Sequence, residues 1–250
     1  NANTTEKALA AVVKQTLQSN IRNKDKALNK LLKSYTSNMP AYILEQLAHH
    51  PTSLIRSSVA MHNNTPISVL EKMIDNNDGV VLWRISRNPN TPPHLLEKLI
   101  NKPDLSEKDR GQIYPSVARR KDIPETLMKK LLECNLYGVR KNIVSKLNLP
   151  IEIAERLIKE GLKESVLVSL ARNSVLTAEL LTDFVQHPNI NVCKTLANHP
   201  NLTLEHWQTL AQHPEANVRK AIASSVNAPV SILETLSQNI VTDVRVAVAA

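Results

Sequence analysis

Apolar side chains fall in two alternating triplets along most of this chain. Counted from a recurring Asn-x-Pro or a near variant, the third, fourth and seventh residues after its last position are Ile43, Leu44, Leu47; Val69, Leu70, Met73; Leu95, Leu96, Leu99; and Leu127, Met128, Leu131. The series continues as Ile153, Ala154, Leu157; Leu180, Leu181, Phe184; His206, Trp207, Leu210; and Ile232, Leu233, Leu236. Steps of three and four place each triplet on one face of a helix. A second set lies eleven, seven and six residues before the next anchor, as in Ile55, Val59, Ala60; Val81, Ile85, Ser86; Ile113, Val117, Ala118; and Val139, Ile143, Val144. It runs on through Val166, Leu170, Ala171; Val192, Leu196, Ala197; Val218, Ile222, Ala223; and Val244, Val248, Ala249. Its last position is mostly Ala, small enough to let a neighbouring helix approach.

The anchors stand at 40, 66, 92, 124, 150, 177, 203 and 229, so the interval is 26 residues apart from one of 32 and one of 27. Proline there suits a first helical turn, where its missing N–H is not needed, and Thr177 and Thr203 can cap in its place. Between the two triplets lie breakers such as His50-Pro51, His187-Pro188 and His213-Pro214. The unit therefore predicts helix, turn, helix, turn, repeated eight times over residues 40–250. Residues 5–19 and 24–36 read as two further helices outside the period, and the segment 1–39 is expected to cap the first repeat. The chain stops on Val244-Arg245-Val246-Ala247-Val248-Ala249-Ala250 without a polar closing helix. An open apolar face there would stack on further repeats or on another chain.

Arginine follows the first Val or Ile of the second triplet at Arg56, Arg140, Arg219 and Arg245. With this feature the chain resembles the leucine-rich repeat variant family, and more loosely HEAT repeats. The likeness is carried best by Leu210-Ala211-Gln212-His213-Pro214-Glu215-Ala216-Asn217-Val218-Arg219-Lys220-Ala221-Ile222-Ala223. The resemblance implies an all-α, right-handed α-solenoid, a superhelix of paired short helices, some of them 3₁₀, with the arginines forming an internal ladder. The unit here is longer than the family's roughly 24 residues. The N-terminal cysteine cluster that carries an iron–sulfur centre in one relative is missing, so no cofactor is expected.

Composition agrees with thin layers of aliphatic packing, since 42% of residues are hydrophobic and only 3% aromatic, with four Gly among 250 residues. So few glycines argue against a phosphate-cradling loop. Two cysteines, Cys134 and Cys193, support neither a disulfide framework nor a zinc cluster and fit a reduced, cytoplasmic protein. No run approaches a membrane span and no signal peptide is visible, so a soluble chain without a membrane partner is expected. The histidines punctuate helix ends and lack the i, i+4 spacing of a metal site. No nucleophile elbow or acid–base constellation appears, so no catalytic residue and no enzyme activity is expected.

Charge changes the picture further. The net charge is +8, and residues 1–39 and 79–146 carry +5 and +7 of it while the remaining segments are slightly acidic. Arg84, Arg87, Arg119 and Arg120 lie in or beside second helices, and Arg87, Arg119 and Arg172 share the position five before an anchor. Equivalent positions stack in a solenoid, so these residues are candidate contacts for phosphates or carboxylates. A solvated face is the plainer alternative. The expected function is a non-catalytic scaffold that binds an acidic or extended protein partner. The rival is a nucleic-acid-binding solenoid using the same stripe, for which only Trp83, Tyr114 and Tyr137 supply nearby aromatics. A third reading is an accessory repeat region of a larger protein. The six extra residues near Asn101–Arg110 fit either a binding edge or a solvent loop.

Overall fold

A computed structural model of the chain describes residues 2–18, 23–35 and 39–249. Residues 1, 19–22 and 36–38 of the expected cap, which include Asn38 of the first anchor, and Ala250 lie outside them. The described residues form eighteen α-helices. The chain gathers into two compact units, residues 1–136 and 137–250.

In the first unit, α1 (Ala2–Gln18) and α2 (Lys24–Ser34) precede the pairs α3 (Ala41–Leu47) with α4 (Ser53–Met61), α5 (Ile67–Ile74) with α6 (Gly79–Arg87), and α7 (Pro93–Ile100) with α8 (Glu107–Arg119). The unit closes on α9 (Glu125–Leu132). The second helices lie side by side in a row, α4 on α6 and α6 on α8, and α2 packs on α4 in the same row. In the second unit, α10 (Tyr137–Val144) is followed by the pairs α11 (Ile151–Lys159) with α12 (Glu164–Leu170), and α13 (Ala178–Val185) with α14 (Ile190–Leu196). The pairs α15 (Leu204–Ala211) with α16 (Ala216–Ala223) and α17 (Val230–Ser237) with α18 (Thr242–Ala249) complete it. The row is α10, α12, α14, α16, α18, with the first helices α13, α15 and α17 packed beside one another. The fold is an α-solenoid, and within each unit the second helices form a row.

The periodic apolar positions are the core. Both triplets of every repeat are buried except Leu180 and Leu233, which are half-buried, and Val248 and Ala249 at the end of α18. The anchor prolines sit one residue earlier than expected: Pro40, Pro66, Pro92, Pro124, Pro150 and Pro229 are N-caps in extended backbone, and their carbonyls take the first N–H groups of the helix. Thr177 and Thr203 replace them as side-chain caps, accepting from the N–H of Leu180 and His206 at 3.4 and 3.3 Å. His206 returns the favour by accepting from the Thr203 N–H, which closes a capping box. The middle residue of the anchor tripeptide is also core: Met39, Ile123, Leu149 and Leu176 are buried, and buried Thr65 and Thr91 donate their hydroxyls to the Val59 and Ile85 carbonyls.

The six-residue insertion is a helical extension. Ser106 caps the start of α8, accepting from the Asp109 N–H at 3.1 Å, so Glu107–Arg110 form that helix's first turn. Asp109 lies against Gly79, the first residue of α6, where a Cβ would sit only 2.0 Å from its carboxylate oxygen. The glycine makes room for an acidic group at a helix N-terminus, where the helix dipole favours it.

A column of polar side chains, four residues before each anchor, ties the turns together. His62 Nε2 meets the Tyr35 carbonyl at 2.9 Å, and Asn88 donates to the carbonyls of Ala60 and His62 at 2.8 and 3.1 Å. Arg120 continues the column to the Asn88 carbonyl. In the second unit, Asn173 donates to the carbonyls of Val144 and Lys146 at 2.8 and 2.7 Å, His199 Nε2 meets the Asn173 carbonyl at 3.0 Å, and the Ser225 hydroxyl bonds that of Ala197. Each rung thus satisfies a carbonyl that the end of a helix in the preceding repeat leaves without an intrahelical partner, contributing about 1 kcal/mol. His62 and His199 also accept at Nδ1 from the N–H of Asn64 and Asn201, so both rings are neutral with the proton on Nε2. Burial lowers their pKa below the ordinary histidine value, against the opposing pull of the carbonyl bond.

Candidate binding surface on the second helices

The arginine ladder follows from sequence position. Arg56 Nη1 donates to the carbonyls of His50 and Pro51 in its own repeat, and Nη2 reaches Asp78 of the next at 2.6 Å. Arg219 donates to the His213 and Pro214 carbonyls, and Arg245 to those of Asn239 and Ile240. Arg140 pairs with Glu160 at 2.7 Å. For Asp78, burial raises the pKa but hydrogen bonds from Ser53, Arg56 and the Val81 N–H, together with the Arg56 charge, outweigh it and hold the carboxyl below its ordinary value. For Glu160, the Arg156 hydrogen bond dominates, and the charges of Arg156 and Arg140 act in the same direction. The guanidinium groups of half-buried Arg56, Arg140 and Arg219 are therefore struts within the fold, and exposed Arg245 makes the same turn bonds at the surface. Cys193 stands at the same repeat position and does the same with sulfur, donating to the His187 carbonyl at 3.2 Å; burial raises its pKa.

The histidines in the turns between paired helices are equally local. Nδ1 of His50, His187 and His213 accepts the N–H two residues on, at 3.2, 3.0 and 3.1 Å. Their lone pairs are occupied in making the turn.

The candidate contact residues separate into different environments. In the first unit, Arg87 and Arg119 are exposed at equivalent positions of the neighbouring helices α6 and α8. Half-buried Arg84 and exposed Arg87 both lie over the indole of Trp83, at 4.7 and 4.8 Å from ring centroid to guanidinium carbon. Arg120 points inward. It donates to the carbonyls of Asn88, Pro89 and Thr91 and forms a two-bonded pair with Asp122 at 2.7 and 3.0 Å. Its side chain is only 10% exposed, so a ligand would meet little of it.

In the second unit, Arg172 is exposed at the end of α12, flanked at its repeat position by Ser145 and Asn198. It borders an open cavity of about 970 Å³ that runs across α10, α12 and α14. Lys141, Lys163 and Lys194 border the same cavity, with Glu164 as its one carboxylate. Lys141 and Lys194 share the position nine before an anchor, a second register of cations besides that of Arg87, Arg119 and Arg172, whereas Lys163 stands at a position of its own. The available signal was an outward position on three successive second helices.

Helix pairs of this kind define a helical repeat fold. Its fold is similar to that of a solved structure described as a leucine-rich repeat variant with a novel repetitive structural motif, at a TM-score of 0.67 and 20% identity over 92% of this chain and 87% of that one. No family model matches the sequence. No curated protein matches it either. Among the described residues no helix is long and apolar enough to cross a membrane.

Proposed function

We propose that the chain is a non-catalytic scaffold that binds another protein through the outward face of its second helices, and that the bound partner is acidic. The observation that carries this reading is the sorting of cations on that row. Arg56, Arg140 and Arg120 are tied to carbonyls or carboxylates, whereas Arg87, Arg119 and Arg172 are exposed. Exposed cations on a rigid row favour a partner of opposite charge by steering its approach and fixing its register. A polynucleotide is supported less well, because two guanidinium groups already stand over the indole of Trp83. Single strands need free aromatic faces for base stacking.

Affinity capture from the native host, comparing the natural chain with the Arg87→Glu, Arg119→Glu, Arg172→Glu variant, tests this. A nuclease-resistant protein retained by the first and lost by the second is expected. Recovery of nucleic acid alone, or of the same proteins by both baits, would overturn the reading.

A further inference from the structure

The groove of the second unit holds four cations against one carboxylate, Glu164. Lys141 lies on α10, Lys163 is the N-cap of α12, Arg172 follows that helix, and Lys194 lies on α14. Among the described residues none of the four takes part in an ion pair. Lys163 only rests over the ring of Tyr137, 5.9 Å from its centroid. Four like charges around one opening repel one another, and a concave low-dielectric wall focuses their field into the cavity. Around this opening exposed cations outnumber carboxylates four to one, an excess that an acidic ligand would complement.

We propose that this groove receives an extended acidic peptide segment of a partner, lying across α10, α12 and α14 with a carboxylate at every third residue. The proposal rests on the scaffold reading and names the ligand chemistry at one of its surfaces. Three arguments fix the class. Packed helices stand about 8–10 Å apart, and a chain in the polyproline II conformation advances about 3.1 Å per residue with three residues per turn, so every third side chain faces the row about 9 Å further on. The cavity lies at the upper end of the roughly 300–1,000 Å³ of ligand sites, and unlike those sites it is open and polar, which suits a segment of chain better than an enclosed small molecule. No aromatic residue lines it, and Tyr137 at its edge has its ring beneath Lys163, so it offers a nucleic-acid strand a poor stacking platform.

The test uses the whole chain and three fluorescent probes in anisotropy titrations: a peptide with Glu at every third position in a Ser/Gly background, an isomer with its Glu residues contiguous, and an oligothymidylate. The spaced peptide is expected to bind most tightly, and Lys163→Glu with Lys194→Glu to weaken it at least about tenfold, as loss of complementary charge does at such surfaces. Lys72→Glu with Lys130→Glu, two exposed cations on first helices of the first unit, should leave it unchanged. Lys163→Gln with Lys194→Gln, checked by circular dichroism, should give a smaller loss with the fold intact. Equal weakening by the first-unit pair, equal binding of both peptides, or tighter binding of the oligothymidylate would each overturn the proposal. Failure here with host-protein capture intact removes the groove assignment alone. Loss of capture by the natural chain removes the scaffold reading.

Discussion

On the second helices of the first unit, Arg84 and Arg87 lie against an indole and Arg120 holds three backbone carbonyls, while around the groove of the second unit four cations face an opening without a carboxylate partner. The first unit contains the larger part of the chain's positive excess, yet many of its guanidinium groups have work inside the fold. The second is nearly balanced in charge and still presents the more concentrated bare cationic field. Charge summed along a sequence therefore locates exposed cations poorly. What decides is whether the repeat position of each cation faces a turn carbonyl or the solvent.

That contrast can be broken most forcefully at Arg120. Arg120→Met removes three carbonyl bonds and an ion pair and should lower stability by about 3 kcal/mol, as for lost hydrogen bonds to a charged donor. Arg172→Met should stay within about 0.5 kcal/mol, as exposed substitutions do. Urea unfolding of both variants measures the difference, and equal midpoints would erase the distinction between strut and free cation. Next in size is Trp83→Ala, expected to lose about 1–2 kcal/mol through packing and the two cation–π contacts, read from the same titrations.

The column of rungs gives a pH-dependent version of the comparison, since each unit contains one buried histidine in it. Folded His62 and His199 have pKa values below their unfolded ones, so their contribution is complete above the ordinary value of 6.5 and is lost as pH falls through it toward the lower folded values. Melting temperature should therefore drop between pH 7 and pH 5. His62→Asn and His199→Asn, which install the side chain that Asn88 and Asn173 already use at this position, should each flatten that drop; an unchanged slope would show that other groups set it. The smallest effect is expected at Lys194→Gln, whose stability should match that of the natural chain within about 0.5 kcal/mol.

The core was legible because its apolar positions repeat in type as well as spacing. Leu180 and Leu233 share the helix face of their triplets yet are half-buried, while Met39, Ile123, Leu149 and Leu176 are core residues that lie inside the anchor tripeptide and outside both triplets. The rungs escaped for a related reason. His, Asn, Arg and Ser serve one purpose there, and a search for recurring residue types passes over a position where only the donor group recurs. The insertion at 101–110 looked like a loop by its polarity, but Ser106 and Asp109 are the start of a helix. Of the candidate contacts, Arg120 has its guanidinium turned inward, a direction that periodicity alone does not give.

Because a rung needs only a donor of the right reach, its occupant can be exchanged without redesigning the repeat around it. Histidine gives a rung that fails in acid, asparagine one indifferent to pH, and serine a short one. A chain with this architecture can thus be tuned turn by turn, setting where along its length an acidic compartment would loosen it first.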